Sequence, residues 1–150
     1  MSALSKTLSF LILTLTAPCI ARPIHPILLK TEKCVQVSKT TVEIARCHTD
    51  AQKDWHKELN SVYKKLTGTA ENPETKAALK ESQQAWEAFH KKESLFIAHY
   101  YERQGTVWVI VGAEMQANVV KDRVRELYKI LESTNMAGNP NEEYRFDKDE

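Results

Sequence analysis

Apolar residues recur at helical spacing in three long stretches of the chain. In the first, residues 50–67, they step by four, four, three and four positions, and charged residues fill the positions between. This stripe consists of Ala51, Trp55, Leu59, Val62 and Leu66. Thr49 and Gln52 have the spacing of a capping box, and Gly68 is a typical residue just beyond a helix end. The pattern therefore predicts an amphipathic helix over 50–67.

The second stretch begins at Asn72-Pro73, a cap residue followed by a first-turn proline, and Glu74 suits the positive end of a helix dipole. The predicted helix runs to about residue 102. Its inward face is expected to consist of Ala78, Leu79, Ser82, Trp86, Phe89, Glu93 and Ile97, with Tyr100 or Tyr101 at its end.

The third stretch follows Gly105, with Thr106 as its expected cap. Its apolar residues step alternately by three and four positions, the spacing of a heptad repeat. They are Ile110, Ala113, Ala117, Val120, Val124, Leu127 and Leu131. This spacing predicts a helix packed almost antiparallel to its neighbours. The run VWVIV at 107–111 has the composition of a strand, which is the main alternative for that segment.

Shorter segments complete the predicted architecture. Residues 22–33 contain two prolines and no period, so we expect an extended lead-in. A short helix is expected from Ser38 or Thr40 to Cys47, and the charged residues 133–150 predict a flexible acidic tail. The predicted fold is all-α: a small up-down helical bundle of three long helices plus a short disulfide-linked N-terminal helix. Its core is expected to join Trp55, Leu59, Trp86 and Leu127.

The first 21 residues have the order of a secretory signal peptide. One charge, Lys6, precedes an apolar run over 8–15 that is too short to span a bilayer, and the segment ends at the small residue Ala21. We therefore predict a signal peptide over 1–21 and an exported protein, periplasmic or secreted. Two alternatives are a buried N-terminal helix and a lipoprotein lipidated at Cys19, for which Pro18 is a poor neighbour.

Removal of the signal peptide leaves an even number of cysteines. Cys34 and Cys47 remain, and two cysteines in an exported chain predict one disulfide. Closing this loop of about 14 residues contributes about 3 kcal/mol in the chain-entropy model. Of 21 basic residues only Lys6 lies in the signal, so 20 basic residues face 20 acidic ones in the mature chain. This neutral chain has no global attraction to nucleic acid or to an anionic membrane.

Residue pairs with catalytic or metal-binding spacing are few. Glu87 and His90 form a Glu-x-x-His pair, but a two-metal bundle needs a second pair and two further glutamates. Cys47-His48 lacks the four ligands of a structural zinc site. The sequence has no glycine-rich phosphate loop and no nucleophile elbow. We therefore predict a protein that is not an enzyme, with no catalytic residue, metal or cofactor.

A set of residues spaced along all three predicted helices carries a resemblance to a known family. The set contains a Glu-x-x-x-Cys pair, a Leu-Asn-x-x-Tyr segment and a Leu-to-Trp segment with glutamine between. Its members are Cys34, Glu43, Cys47, Asp54, Leu59, Asn60, Tyr63, Leu79, Gln83 or Gln84, Trp86, Arg123, Leu127 and Leu131. In these residues the chain resembles the LprI-like family of secreted lysozyme inhibitors. The resemblance implies a helical domain over 34–132 and inhibition of lysozyme through protein–protein contact.

The chain departs from the family pattern at one cysteine pair. Ser94 and Met115 stand where the family often carries its third and fourth cysteines, which implies that these positions face each other between the second and third long helices. An inhibitor of basic animal lysozymes needs local acid for steering, and the tail, Glu71 and Glu74 offer it. The alternatives are a periplasmic interaction or scaffold module without lysozyme activity and a metalloenzyme built on the bundle.

Overall fold

The computed structural model describes residues 23–103, 105–134 and 144–146, and its regular elements there are four helices. They are α1 (Pro26–Val37), α2 (Thr41–Thr69), α3 (Pro73–Tyr101) and α4 (Thr106–Thr134). This confirms the predicted all-α bundle of three long helices with a short disulfide-linked N-terminal helix, although the short helix is α1 and not the expected segment ending at Cys47. The run at 107–111 is helical, because it belongs to the apolar repeat of α4 and has no partner strand among the described residues.

The prediction of an extended lead-in over 22–33 is wrong, because α1 begins at Pro26. A proline at the first helical position has its φ angle already set and needs no backbone donor. The preceding residue, His25, caps the helix, since its Nδ1 accepts a hydrogen bond from the Ile27 amide (3.3 Å).

Helix α2 begins nine residues earlier than the expected start at residue 50, at Thr41. Its capping box is formed by Thr40 and Glu43, not by Thr49 and Gln52. The Thr49 hydroxyl instead donates to the Ala45 carbonyl inside the helix (3.0 Å). The short helix expected to end at Cys47 is therefore the first part of α2.

The core lies between α2 and α4. Its buried members on these two helices are Ala51, Trp55, Leu59, Val62 and Leu66 of α2, and Ala117, Val120, Val124, Leu127, Tyr128 and Leu131 of α4. Both helices contribute the stripes that the sequence predicts. Because Gln52 lines a groove with Gln116 while Glu58 accepts a hydrogen bond from Tyr128, α2 and α4 run in the same direction. This is the direction that the predicted up-down order gives to its first and third long helices, so the expected antiparallel packing does not apply to this pair.

Helix α3 does run antiparallel to α4. Tyr101, at its end, lies against Gly112, and Ser82, further back, accepts a hydrogen bond from Arg123 (3.0 Å). Its predicted inward face is only partly correct, because Gln83 and Ile97 are the buried residues among the 29 of this helix. Trp86 packs at the edge of the core and is only partly buried.

The predicted disulfide between Cys34 and Cys47 is present, with the two Cα atoms 5.8 Å apart. It joins the C-terminal half of α1 to the second turn of α2. Lys30 makes a second link, an ion pair with Asp54. The two links hold α1 antiparallel to α2.

The prediction of a flexible tail over 133–150 is wrong for residues 144–146. The His25 amide donates to the Arg145 carbonyl (3.0 Å), and the Arg145 amide donates to the Pro23 carbonyl (2.9 Å). Phe146 is 4% exposed and belongs to the core. An aromatic ring buried in this way outweighs the charged composition that favoured disorder. The rest of the tail after Thr134 lies outside the described residues, as does the predicted signal peptide over 1–21.

Candidate protein-docking surface

Most residues that carry the family resemblance make structural contacts in α1 and α2. Glu43 caps α2 by accepting hydrogen bonds from the Lys39 and Thr40 amides (2.7 and 3.1 Å). Asp54 accepts from the Lys30 and Lys57 ammonium groups, which hold the pKa of its carboxyl below the ordinary value. Leu59 is buried in the core, Tyr63 packs against the core, and Asn60 is exposed.

Arg123 and Trp86 attach α3 to the rest of the bundle. The Arg123 guanidinium donates to the Ser82 hydroxyl (3.0 Å) and to the Gln83 side-chain carbonyl (3.5 Å). Its side chain is mostly buried, which strengthens these bonds. The Trp86 ring stacks on His90 with centroids 4.9 Å apart and 9° between the planes. With the exception of Asn60, the family pattern thus marks a scaffold, and a binding surface must be sought among other residues.

Helix α3 leaves most of its outer face exposed to solvent. Phe89, Phe96 and Tyr100 follow each other at spacings of seven and four, so they share one side of the helix. Their exposed fractions are 52%, 57% and 49%. Large aromatic side chains exposed together on one helix face are typical of a protein-interaction site.

The aromatic residues become denser where α3 turns into α4. The rings of Phe96 and Tyr100 lie 5.5 Å apart, and those of Tyr101 and Trp108 lie 6.0 Å apart. The Arg103 guanidinium lies over the Tyr100 ring at 4.5 Å and over the Trp108 ring at 5.3 Å. Cation–π contacts of this kind hold the arginine in place.

We call this region the corner surface. It consists of Phe96, Tyr100, Tyr101, Arg103, Val107, Trp108 and Val109. Val107 and Val109 are both more than half exposed, which is unusual for valines on a helix that supplies the core.

Two glycines shape the corner surface. Gly105 has a φ of +114°, a backbone conformation that other residues rarely adopt, and it reverses the chain between α3 and α4. Gly112 lies so close to Tyr101 that a Cβ atom there would be 3.2 Å from the tyrosine Cβ. The absence of a side chain at Gly112 therefore lets α3 approach α4 at this end.

A groove of about 320 Å³ opens beside the corner surface. Thr49 and Gln52 of α2, Tyr101 of α3, and Trp108 and Gly112 of α4 line part of its wall. The corner therefore combines a convex aromatic surface with an adjacent concavity, which is the shape that a partner side chain needs for anchoring.

A larger groove of about 540 Å³ lies between α1, α2 and α4. Leu28, Trp55 and Phe146 give it apolar walls, and Glu114 and Lys121 lie on its lining. Within 23–103, 105–134 and 144–146, no three potential metal-ligating side chains come together. In the same ranges no helix has the length and apolarity needed to cross a membrane.

Comparison with protein families gives one match. The family model described as lysozyme inhibitor LprI matches residues 34–127. The chain belongs to the LprI family. This confirms the resemblance drawn from the sequence. Searches among curated proteins and among solved structures found no match to this LprI chain.

The LprI match begins at Cys34 and ends within α4, so it contains the disulfide, all of α2 and α3, and the corner surface. The sequence pattern did not reveal this surface, because Tyr100 or Tyr101 was expected to close the inward face of the helix. A compositional signal marks it: residues 93–120 contain no lysine but four of the chain's 12 aromatic residues.

Proposed function

We propose that this LprI-family protein is an exported inhibitor of lysozyme that acts by binding the enzyme. The observation that carries the proposal is the family match over 34–127, which covers the three long helices almost completely. Inhibition by contact requires an ordered surface and no reactive group. The exposed aromatic residues of α3 and the corner surface meet that requirement.

Export is supported by two features of the chain. The Cys34–Cys47 disulfide is typical of proteins that fold in an oxidising compartment. The composition of residues 1–21 predicts a cleaved signal peptide, and lipidation at Cys19 is the less favoured alternative. The proposal therefore places the mature chain in the periplasm or outside the cell, where it meets lysozyme.

The test is a titration of lysozyme activity with the purified, oxidised mature chain, residues 22–150. Cell-wall lysis by a c-type animal lysozyme is expected to fall as the chain is added. At protein concentrations above the dissociation constant of the complex, lysis should approach zero near a 1:1 ratio of the two proteins. Unchanged lysis at a large molar excess, with animal and bacteriophage lysozymes alike, would contradict the proposal. The protein would then be an interaction or scaffold module without lysozyme activity.

A further inference from the structure

We propose that the corner surface is the part of the chain that contacts lysozyme; this assignment rests on the proposed function and names its site. Arg123 and Trp86 hold α3 in place, Asp54 pairs with lysines, and Glu43 caps a helix, so these family residues already have structural partners within the chain. Apart from exposed members such as Asn60 and Gln84, the binding surface of this chain is therefore expected outside that pattern.

The composition of the corner region matches that of protein interfaces. Interface cores are enriched in tyrosine, tryptophan, phenylalanine and arginine and depleted in lysine. Residues 93–120 have four aromatic residues, one arginine and no lysine, although lysine and arginine together number 21 in the 150 residues. Residues of these aromatic and arginine types carry most of the binding energy in measured interfaces.

The charge of the same region suits a basic partner. Near the corner, Glu93 and Glu102 stand against Arg103 alone, whereas Glu114 lines the separate groove between α1, α2 and α4. Glu102 lies between Tyr101 and Arg103 of the corner surface and is strongly exposed, with its carboxylate 3.6 Å from His99 Nδ1. Animal lysozymes are basic proteins, so local acid at the docking site favours encounter in the right orientation.

The corner is also ordered before any partner arrives. The ring contacts from Phe96 through Tyr100 and Tyr101 to Trp108 fix these side chains against each other, and Arg103 covers two of them. Side chains that are already fixed lose less conformational entropy on binding. The adjacent groove at Gly112 offers space for one protruding side chain of the enzyme.

Substitutions on the corner surface test the assignment. Phe96→Ala and Tyr100→Ala remove half-exposed rings, so they are expected to leave the fold intact while raising the inhibition constant at least about 10-fold each. Matched controls are Leu29→Ala on α1 and Ile130→Ala near the far end of α4, which are 49% and 50% exposed. These controls are expected to change the constant by less than about 2-fold. Circular dichroism and thermal melting of each variant check the fold.

A charge variant that leaves the aromatic packing unchanged provides a second test of the corner assignment. Glu102→Lys is expected to slow association with a c-type lysozyme by about 3-fold or more at low salt, and by less at high salt, because rim charges act mainly on the association rate. If the wild-type chain inhibits lysozyme and neither the two ring variants nor Glu102→Lys weakens that inhibition, the corner assignment is wrong, but the proposed function stands. Absence of inhibition by the wild-type chain would overturn the proposed function, and the assignment with it.

Discussion

The docking of Phe146 makes a quantitative prediction about the C-terminal segment. Its ring is 4% exposed and has three aromatic neighbours, at centroid distances of 5.2 Å (His25), 6.0 Å (Trp55) and 5.6 Å (Tyr128). Truncation of a fully buried phenylalanine typically costs about 3–5 kcal/mol. We expect Phe146→Ala to lie at the lower end, about 3 kcal/mol, because the cost cannot exceed the free energy with which this short segment is held.

Phe89→Ala is the matched control, since it removes the same ring from a position that is 52% exposed. Its expected cost is below about 1 kcal/mol, as for an ordinary surface substitution. Urea unfolding followed by circular dichroism measures both variants under oxidising conditions, which keep the disulfide intact. A loss below about 0.5 kcal/mol for Phe146→Ala, equal to that of the control, would refute the docking of residues 144–146 against the core.

Three further predictions follow from the bundle. Trp86→Ala should cost about 2 kcal/mol in urea melts, less than a fully buried tryptophan, because its ring is only partly buried; a loss above 4 kcal/mol would contradict its edge position. Ser94→Cys with Met115→Cys should form a disulfide within one molecule and raise the melting temperature, since both residues lie between the Tyr101–Gly112 and Ser82–Arg123 contacts of α3 and α4. A cysteine pair that stays reduced would contradict that antiparallel register. Burial lowers the pKa of His25, so protonation favours the unfolded state and the free energy of unfolding should fall as the pH drops below about 6.5. The fall should be smaller in His25→Asn, which keeps an acceptor for the helix cap, and an equal pH dependence of the two proteins would contradict this.

The periodic parts of the fold were predictable from the sequence. The stripe from Ala51 to Leu66 and the repeat from Ala117 to Leu131 are buried as their spacing indicates, because the single apolar face of each helix packs against the other and away from water. The disulfide was predicted from the even cysteine count that remains once the predicted signal peptide is left out. Both inferences depend on local pattern and general chemistry, which the sequence contains.

The errors occurred where tertiary contacts decide the outcome. The start of α1 depends on a histidine cap, and His25 is held in place by the parallel bridge between Ile24 and Arg145, which are 121 positions apart. The docking of Phe146 likewise depends on the space left between α1, α2 and α4. No local pattern reveals such long-range contacts, and composition alone favoured disorder for the tail.

The candidate site was hidden for a related reason. Helical period placed Phe89 on the predicted inward face, with Tyr100 or Tyr101 at its end, but α3 packs on α4 through a narrow line that includes Gln83, Ile97 and Tyr101. Periodicity identifies an apolar helix face, but it does not distinguish a face that is buried in the core from an exposed face that binds a partner.

The most direct test of lysozyme binding at the corner surface is a titration of the ¹⁵N-labelled mature chain with unlabelled c-type lysozyme, followed by amide chemical shifts. We expect a saturable complex whose largest shifts fall on residues 96–109, with little change on α1. A complex whose shifts lie on α1 and the first turns of α2 would contradict the corner assignment. The absence of any shift at millimolar lysozyme would contradict the claim that this LprI-family chain binds lysozyme at all.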